Sequence, residues 1–375
     1  MNGANPKKLP DLLMISDELN YDLPPTCIAT EPAEPRDAAR LMVVWRQTGR
    51  IRHTRVCDLP RLADTVRPGD LLVFNQTRVL PAHFCARRAA TGGRVQGLYL
   101  ESPDALKWHV MLESRGRLQP GERIQFNNSS HLELLKPLGG GQWRAHLHSP
   151  LDTPSLLDSI GTLPLPTYIR KQRRARGKVE VRPDDVEKYN SVFATDPGSV
   201  AAPTAALHFT KRLLEQLQGE GVRSAALTLH IGLGTFAPVR TQRLEDHRMH
   251  SEWMSVPATT IQALRCTRRA GGRVIPVGTT CVRALESLPQ PLPDAPEGFT
   301  TSTNLFIRPD DCDHHAFAFR FTDGLMTNFH LPKSTLLALV AALRGVGIER
   351  LKQWYQIAID EGYRFYSYGD AMLLV

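Results

Sequence analysis

Beyond Leu163-Pro-Leu-Pro166 the chain alternates between helix-length and strand-length apolar patterns, and this alternation constrains its fold more than any other feature. Residues 211–219 carry a helical stripe that stops near Gly221, and 225–230 form a short apolar run of strand length. Residues 258–271 predict a helix ended by Gly271-Gly272, 273–277 a strand, 281–288 a helix and 323–329 a strand. Two helices, over 334–345 and 350–361, complete the pattern. Apolar faces in such an order are buried by a parallel or mixed sheet flanked by helices.

The N-terminal part reads differently. Residues 41–45 and 51–56 flank Gln47-Thr-Gly49 as a hairpin would, and Val66-Arg-Pro68 leads into a strand over 69–74. Short runs at 95–100, 108–112, 123–126, 131–135 and 142–147 then alternate with Gly, Pro and Asn turns. A spacing of roughly ten residues suits a small β-barrel or sandwich. The expected organisation is therefore α/β: a helix-flanked mixed sheet domain with an inserted small β-barrel domain. A flexible N-terminal tail is expected over 1–17, the α/β domain over 18–68 and 160–375, and the barrel over 69–159.

At 375 residues the chain is long enough for two domains, and 42% apolar with 22% charged residues is ordinary for a soluble protein. Lys and Arg exceed Asp and Glu by 46 to 38, a net charge of +8 that suits a polyanionic partner. Cys27, Cys57, Cys85, Cys266, Cys281 and Cys312 include no Cys-x-x-Cys pair, which argues against a disulfide framework or a thiolate zinc site. The N-terminus shows no apolar signal core and no run approaches a membrane span, so the cytoplasm is expected.

Chemistry concentrates where strands end. Leu227-Thr-Leu-His-Ile-Gly-Leu-Gly-Thr-Phe236 brings a strand to His230 and then turns on Gly232 and Gly234. In open α/β sheets, ligands bind outside the carboxyl ends of strands, so this end aims an imidazole and backbone N–H groups at a pocket. Pro276-Val-Gly-Thr-Thr280 ends a second strand, with Thr279 or Thr280 to cap the following helix, whose N-terminus suits a carboxylate or phosphate. Thr327-Asn-Phe-His330 ends a third. Ala201-Ala-Pro-Thr-Ala-Ala-Leu-His208 adds Thr204 and His208 from a loop.

Asp246, His247, His250 and Glu252 follow closely as candidate acid/base groups, and His247-x-x-His250 is also a feasible metal-ligand pair. Between Arg170 and Lys178 six of nine residues are basic: Arg170, Lys171, Arg173, Arg174, Arg176 and Lys178. They read as phosphate contacts or as a solvated basic loop, with Tyr168 and Tyr189 placed to stack on unpaired bases.

These segments, in this order, resemble the S-adenosylmethionine:tRNA ribosyltransferase-isomerase family of queuosine biosynthesis. The resemblance is carried by Gly69-Asp-Leu-Leu-Val-Phe-Asn75 with Thr77-Arg-Val79, Leu163-Pro-Leu-Pro-Thr-Tyr-Ile169, Ala201-Ala-Pro-Thr204 with Leu207-His-Phe209, and Leu229–Phe236. It continues through Met249-His-Ser-Glu252, Val277-Gly-Thr-Thr280, Thr327-Asn-Phe-His-Leu-Pro332 and Tyr363–Met372. It implies an α/β domain with an inserted β-barrel. The implied reaction moves the ribosyl part of S-adenosylmethionine onto 7-aminomethyl-7-deazaguanine at the tRNA wobble position. Epoxyqueuosine, adenine and methionine are the products. No metal or bound organic cofactor is implied, and a monomer is expected. The partners would be S-adenosylmethionine and the tRNA anticodon arm.

Such chemistry needs a base for the proton activated by the sulfonium and an acid for departing adenine. On the resemblance, His230 or His250 is the base, with Glu252 orienting it and Asp246 in support. Thr279, Thr280 and Arg283 would hold the methionine carboxylate, Tyr368 and Asp370 line the adenosine pocket, and Asn328 and His330 meet the ribose. Asn75, Arg78, Thr204, His208, Gly232 and Gly234 complete the expected substrate contacts, and the basic stretch from Arg170 to Lys178 the tRNA contacts. The chain departs from the family pattern at Gln76, His83, Gln96, Ala206 and Asp310. Gln96 replaces a carboxylate, and Ala206 adds a Cβ where backbone would approach a ligand. The competing readings are a transferase for another amine acceptor, a catalytically silent tRNA-binding protein and a metal-dependent hydrolase.

Overall fold

The structure, a computed structural model, describes residues 16–104, 106–126, 129–232, 239, 241–309 and 317–375. Its centre is a five-stranded sheet in the order Val274–Pro276, Leu71–Asn75, Arg223–Leu229, Glu252–Val256, Phe299–Thr303. The first three strands run parallel and the last two antiparallel. Leu71–Asn75 is buried along its whole length, as a strand covered on both faces must be, which explains its unbroken apolar run.

A second sheet holds Leu325–Asn328, Ala371–Leu374, Arg40–Val44 and Ile51–Arg55, with Arg40–Val44 parallel to Ala371–Leu374 and the other pairs antiparallel. The two sheets meet at a short seam. Val277 bridges Met326 in parallel, Gly278 N–H donates to Met326 O at 2.8 Å, and Asp323 N–H donates to Val274 O at 2.9 Å.

Helices cover these sheets much where the sequence places them. Lys211–Gly219 starts at Thr210, whose hydroxyl accepts from the Leu213 N–H, and Thr335–Ala341 starts at Ser334, which accepts from Leu337 N–H. Ala258–Arg269, Thr279–Glu286 and Ile348–Asp360 complete the set around the site. Thr335–Ala341 is shorter than the predicted 334–345 and buried throughout. Among the described residues, no helix is long and apolar enough to cross a membrane.

The predicted barrel is present. Its strands run in the order Gly161–Thr162, His83–Arg88, Arg94–Asp104, Lys107–Ser114, Gln142–His148, His131–Gly139, Arg123–Gln125, and His83–Arg88 pairs again with Arg123–Gln125 to close the ring. Phe84, Trp108, Phe126 and Tyr99 fill it. Gly97 lies under Phe84, where an added Cβ would stand 2.1 Å from the ring. Glycine is required there by close approach.

Three boundaries differ from the sequence reading, one being the barrel strand Gly161–Thr162, which lies beyond the expected limit at 159. Residues 69–79 do not belong to the barrel: Leu71–Asn75 sits inside the five-stranded sheet, and Thr77–Val79 pairs with Asp196–Ser199. The Gly-Asp turn before this strand looks like any other turn of the β-rich block, so local pattern could not assign its sheet. Ser16 and Asp17 are not tail either. They open a short turn, Ser16–Leu19, held by Ser16 N–H to Gln242 O at 2.8 Å and by the Asp17–Lys333 ion pair.

Candidate functional site

Four strand ends converge. The chain leaves Leu71–Asn75, Arg223–Leu229, Val274–Pro276 and Leu325–Asn328 on the same side. A pocket there encloses about 50 Å³ among Ala202, Pro203, Thr204, Ala205, Ile231, Gly278, Thr279, Thr280, the Thr327-Asn-Phe-His-Leu331 stretch, Ser334 and the strap Tyr366-Ser367. Thr204, Thr279, Thr280, Asn328 and His330 thus come together as the sequence predicts. The pocket is narrow: a volume this size takes a few waters. A larger cavity of about 1220 Å³ lies at the opposite end of the strands, between the 45–48 turn and Arg273, and holds none of the predicted site residues.

The helix Thr279–Glu286 begins at Gly278, whose φ of 100° only glycine adopts freely, and no side chain caps it. Thr279 and Thr280 therefore do not cap the helix. Thr280 instead accepts from Asn75 Nδ2 at 3.3 Å, and Gly278, Thr279 and Thr280 line the pocket at the start of the helix.

His230 precedes Ile231, which lines the pocket, but does not itself line it. Its Nδ1 bonds Thr77 Oγ1 at 2.8 Å, and that hydroxyl also meets Ser199 Oγ at 2.8 Å. The ring stacks on Trp253, 4.9 Å between centroids, and rests on Gly198, where a Cβ would come within 2.4 Å of Nε2. Burial lowers its pKa, partly offset by Asp196, so the imidazole is neutral at neutral pH.

Glu252 is buried. It accepts the Gly232 N–H at 2.9 Å and forms an ion pair with Arg283, the two side chains 4% and 2% exposed. Arg283 also donates from Nε to Leu305 O at 3.1 Å. The pair ties the 230–232 turn to the Thr279–Glu286 helix, and Arg283 does not line the pocket where it was expected to hold a carboxylate. Asp246 and His250 are exposed, and His247 packs edge-on against Phe306 at 5.5 Å. Among the described residues, no group of three or more His, Cys, Asp or Glu is gathered to hold a metal.

Several residues expected to contact substrate are held by contacts within the protein. Asn75 is fully buried and bridges strand ends, donating to Leu229 O at 2.9 Å while its Oδ1 accepts from Thr77 and Leu229 N–H. Asp370 is 1% exposed and accepts from Arg40 N–H and from Arg364. Tyr368 is equally buried against Tyr189. His208 lies behind the pocket wall, and burial pushes its pKa down to about 4. His330, in the wall, is pushed down to about 3 by burial; its Nε2 meets Thr327 Oγ1 at 2.9 Å. Arg78 is half-buried on the outer side of its strand. Gly234 lies outside the described residues, as do His314, His315 and Asp310.

The basic stretch is helical as far as Ala175, within Thr167–Ala175, and Arg176 and Lys178 follow beyond it. Arg173 is buried in a two-pronged ion pair with Asp185, at 2.6 and 2.8 Å, which removes it from any tRNA surface. Arg170 and Arg174 share Glu180, Arg176 reaches Thr30 and Lys178 pairs with Glu31. Lys171 is exposed and has no ion pair among the described residues.

Sequence reasoning missed Tyr366. Its φ is 75°, a conformation costly for an aromatic residue and often found at functional sites. Asn328 Nδ2 holds this strap through Tyr366 O at 3.0 Å, and the Tyr366 ring lies 4.2 Å from that of Tyr168. The motif around it is visible in the sequence, but a positive φ on tyrosine has no local signature. None of the departures at Gln76, His83, Gln96 or Ala206 lines the pocket. Gln76 bonds Asp196 and Thr228, and Ala206 is core.

A strand-end pocket with a bare helix N-terminus, a neutral histidine and an aromatic strap, on a fold that also carries a β-barrel, defines an α/β enzyme. The family profile described as "Queuosine biosynthesis protein" matches residues 16–374. A relative from Gloeobacter violaceus, named S-adenosylmethionine:tRNA ribosyltransferase-isomerase, is 44% identical over 365 residues, covering 96% of each chain. One of the same name from Rubrobacter xylanophilus is 44% identical over 362 residues, covering 96% of this chain and 98% of that one. The crystal structure of an S-adenosylmethionine tRNA ribosyltransferase from Thermotoga maritima matches with a TM-score of 0.52 and 32% identity, covering 96% of this chain and 100% of that one. The chain belongs to the queuosine biosynthesis protein family that the profile describes.

Proposed function

We propose that the protein transfers and isomerises the ribosyl moiety of S-adenosylmethionine onto 7-aminomethyl-7-deazaguanine at the tRNA wobble position. Epoxyqueuosine-tRNA, adenine and methionine are the products. The observation that carries this reading is the convergence of the family's motifs, scattered from Thr204 to Tyr366, on one strand-end pocket. The intact pocket, untouched by the departures that the structure describes, favours an active enzyme over a silent tRNA-binding protein.

In this reading the N–H groups opening Thr279–Glu286 receive the methionine carboxylate, since a helix N-terminus offers unpaired donors and partial positive charge. Asn328 and His330 face the ribose, and Tyr366 stacks on a base. His230 is the proton acceptor: a neutral imidazole is competent at neutral pH, and Thr77 fixes its orientation. Glu252 and Arg283 act by holding the turn that carries it, and Asp246 and His250 lie on the approach. S-adenosylmethionine is a substrate, spent in each turnover. The enzyme acts as a monomer in the cytoplasm, on the anticodon arm.

The test is adenine release from S-adenosylmethionine with tRNA carrying 7-aminomethyl-7-deazaguanine, against unmodified tRNA. Release with the modified tRNA alone, with a ribosyl-sized mass gain on that base, is the expected result. Release with neither tRNA would refute the reading.

A further inference from the structure

The helix 167–175 spends most of its cations on internal ion pairs. Arginines without such partners stand on the barrel instead. Arg87 and Arg94 lie directly opposite each other on neighbouring strands, both exposed. Directly opposed side chains stand about 5 Å apart, and like charges so placed destabilise a sheet. Neither has a carboxylate partner among the described residues: Arg87 donates to Gly92 O at 3.1 Å, and Arg94 reaches Cys85 Sγ at 3.6 Å.

Arg115 and Arg117 add to this charge. Both are exposed, just past the end of Lys107–Ser114, where Ser114 pairs with Val95, and neither has an ion pair among the described residues. The next outward pair along the strands is Cys85 with Gln96. Gln96 is where the family pattern has a carboxylate, so here the face has one counter-charge fewer. Glu113, opposite Gln96, is the nearby carboxylate, and it forms no ion pair among the described residues. At the far end of the face His83 lies within the electrostatic reach of Arg170, Glu113 and Arg94.

We propose that this face of the barrel, around Arg87, Arg94, Arg115 and Arg117, is where the phosphodiester backbone of tRNA lies. The inference rests on the tRNA-modifying function proposed above and adds where the nucleic acid is held. A repulsive pair on an otherwise regular sheet costs stability in the free protein. A polyanion laid across it converts the repulsion into attraction and releases counterions.

The experiment is equilibrium tRNA binding over a salt series, with thermal unfolding alongside, for the wild type, Arg87→Glu, Arg94→Glu and the control Arg269→Glu. Arg269 is exposed at the end of Ala258–Arg269, on a different element. Arg87→Glu and Arg94→Glu should weaken binding several-fold at about 0.1 M salt. Each should also flatten log K against log salt by roughly 0.7–0.9 for every phosphate the protein no longer neutralises. Because each creates a cross-strand ion pair, the unfolding temperature should hold or rise. A merely structural arginine would give the opposite pair of results. Unchanged affinity in both barrel variants, or an equal loss in Arg269→Glu, would overturn the proposal while leaving the function intact. A wild-type protein that binds no tRNA would overturn both.

Discussion

The Glu252–Arg283 pair shows how one contact can decide a site without touching a ligand. Both side chains are almost wholly buried, and Glu252 also holds the Gly232 N–H. Removing one member of a buried pair strands the other charge, which typically costs about 3–5 kcal/mol. Arg283→Met should therefore lower unfolding free energy by about that amount in urea titration, and a change below about 1 kcal/mol would contradict the assignment. The buried histidines make a second prediction. His208 is held neutral down to about pH 4 and His330 to about pH 3, whereas an unfolded histidine protonates near 6.5. Between those limits the unfolded chain binds protons the folded chain refuses, so stability is complete above about pH 6.5 and falls on acidification. The fall should reach about 1.4 kcal/mol per pH unit for each histidine, and His208→Gln should flatten the profile.

At the scale of elements, the strand that ends at His230 works through its neighbours. The imidazole is clamped between Trp253 and Gly198 and bonded to Thr77, so three separate segments set its position. Gly198→Ala would place a methyl group within 2.4 Å of the ring and displace it. The expected result is a fall in kcat of at least about tenfold with tRNA affinity retained, since misplaced catalytic groups lose rate steeply. Retained kcat would remove His230 from the reaction. This clamp also marks how far the sequence could be read. Strand ends at His230, Gly278 and Asn328 were legible because apolar runs stop there on glycine, threonine and histidine. Arg173 was not: nothing in a basic run says that its third cation turns inward to Asp185. Nor did the motif around Asp370 reveal a carboxylate already bonded to Arg40 and Arg364. Short motifs report that residues matter, while tertiary contacts decide whether they matter to a ligand or to the fold.

At the scale of the whole molecule, the helix–strand alternation gave the mixed sheet and the ten-residue spacing gave the barrel. What it could not give was the sheet of Leu71–Asn75, because membership in a sheet depends on partners 150 or more residues away. The barrel itself depends on one absent side chain. Gly97→Ala would drive a methyl group into the Phe84 ring, which is 1% exposed in the barrel core. Overpacking of this kind costs about 1–3 kcal/mol, read as a lower urea midpoint at unchanged slope, and Phe84→Leu in the same chain should restore part of it.

The pairing of Arg40–Val44 with Ala371–Leu374 carries a consequence for how the protein is made. Leu41, Met42, Val43 and Val44 leave the ribosome early and find a hairpin partner at once in Ile51–Arg55, but their other edge waits for residues more than 300 positions later. Contacts of such sequence separation form slowly. Until they form, the nascent chain carries an apolar, half-paired strand, the kind of edge that other chains can pair with. Assembly of the second sheet is thus a late event, and the pocket wall at Asn328, which belongs to that sheet, is finished with it.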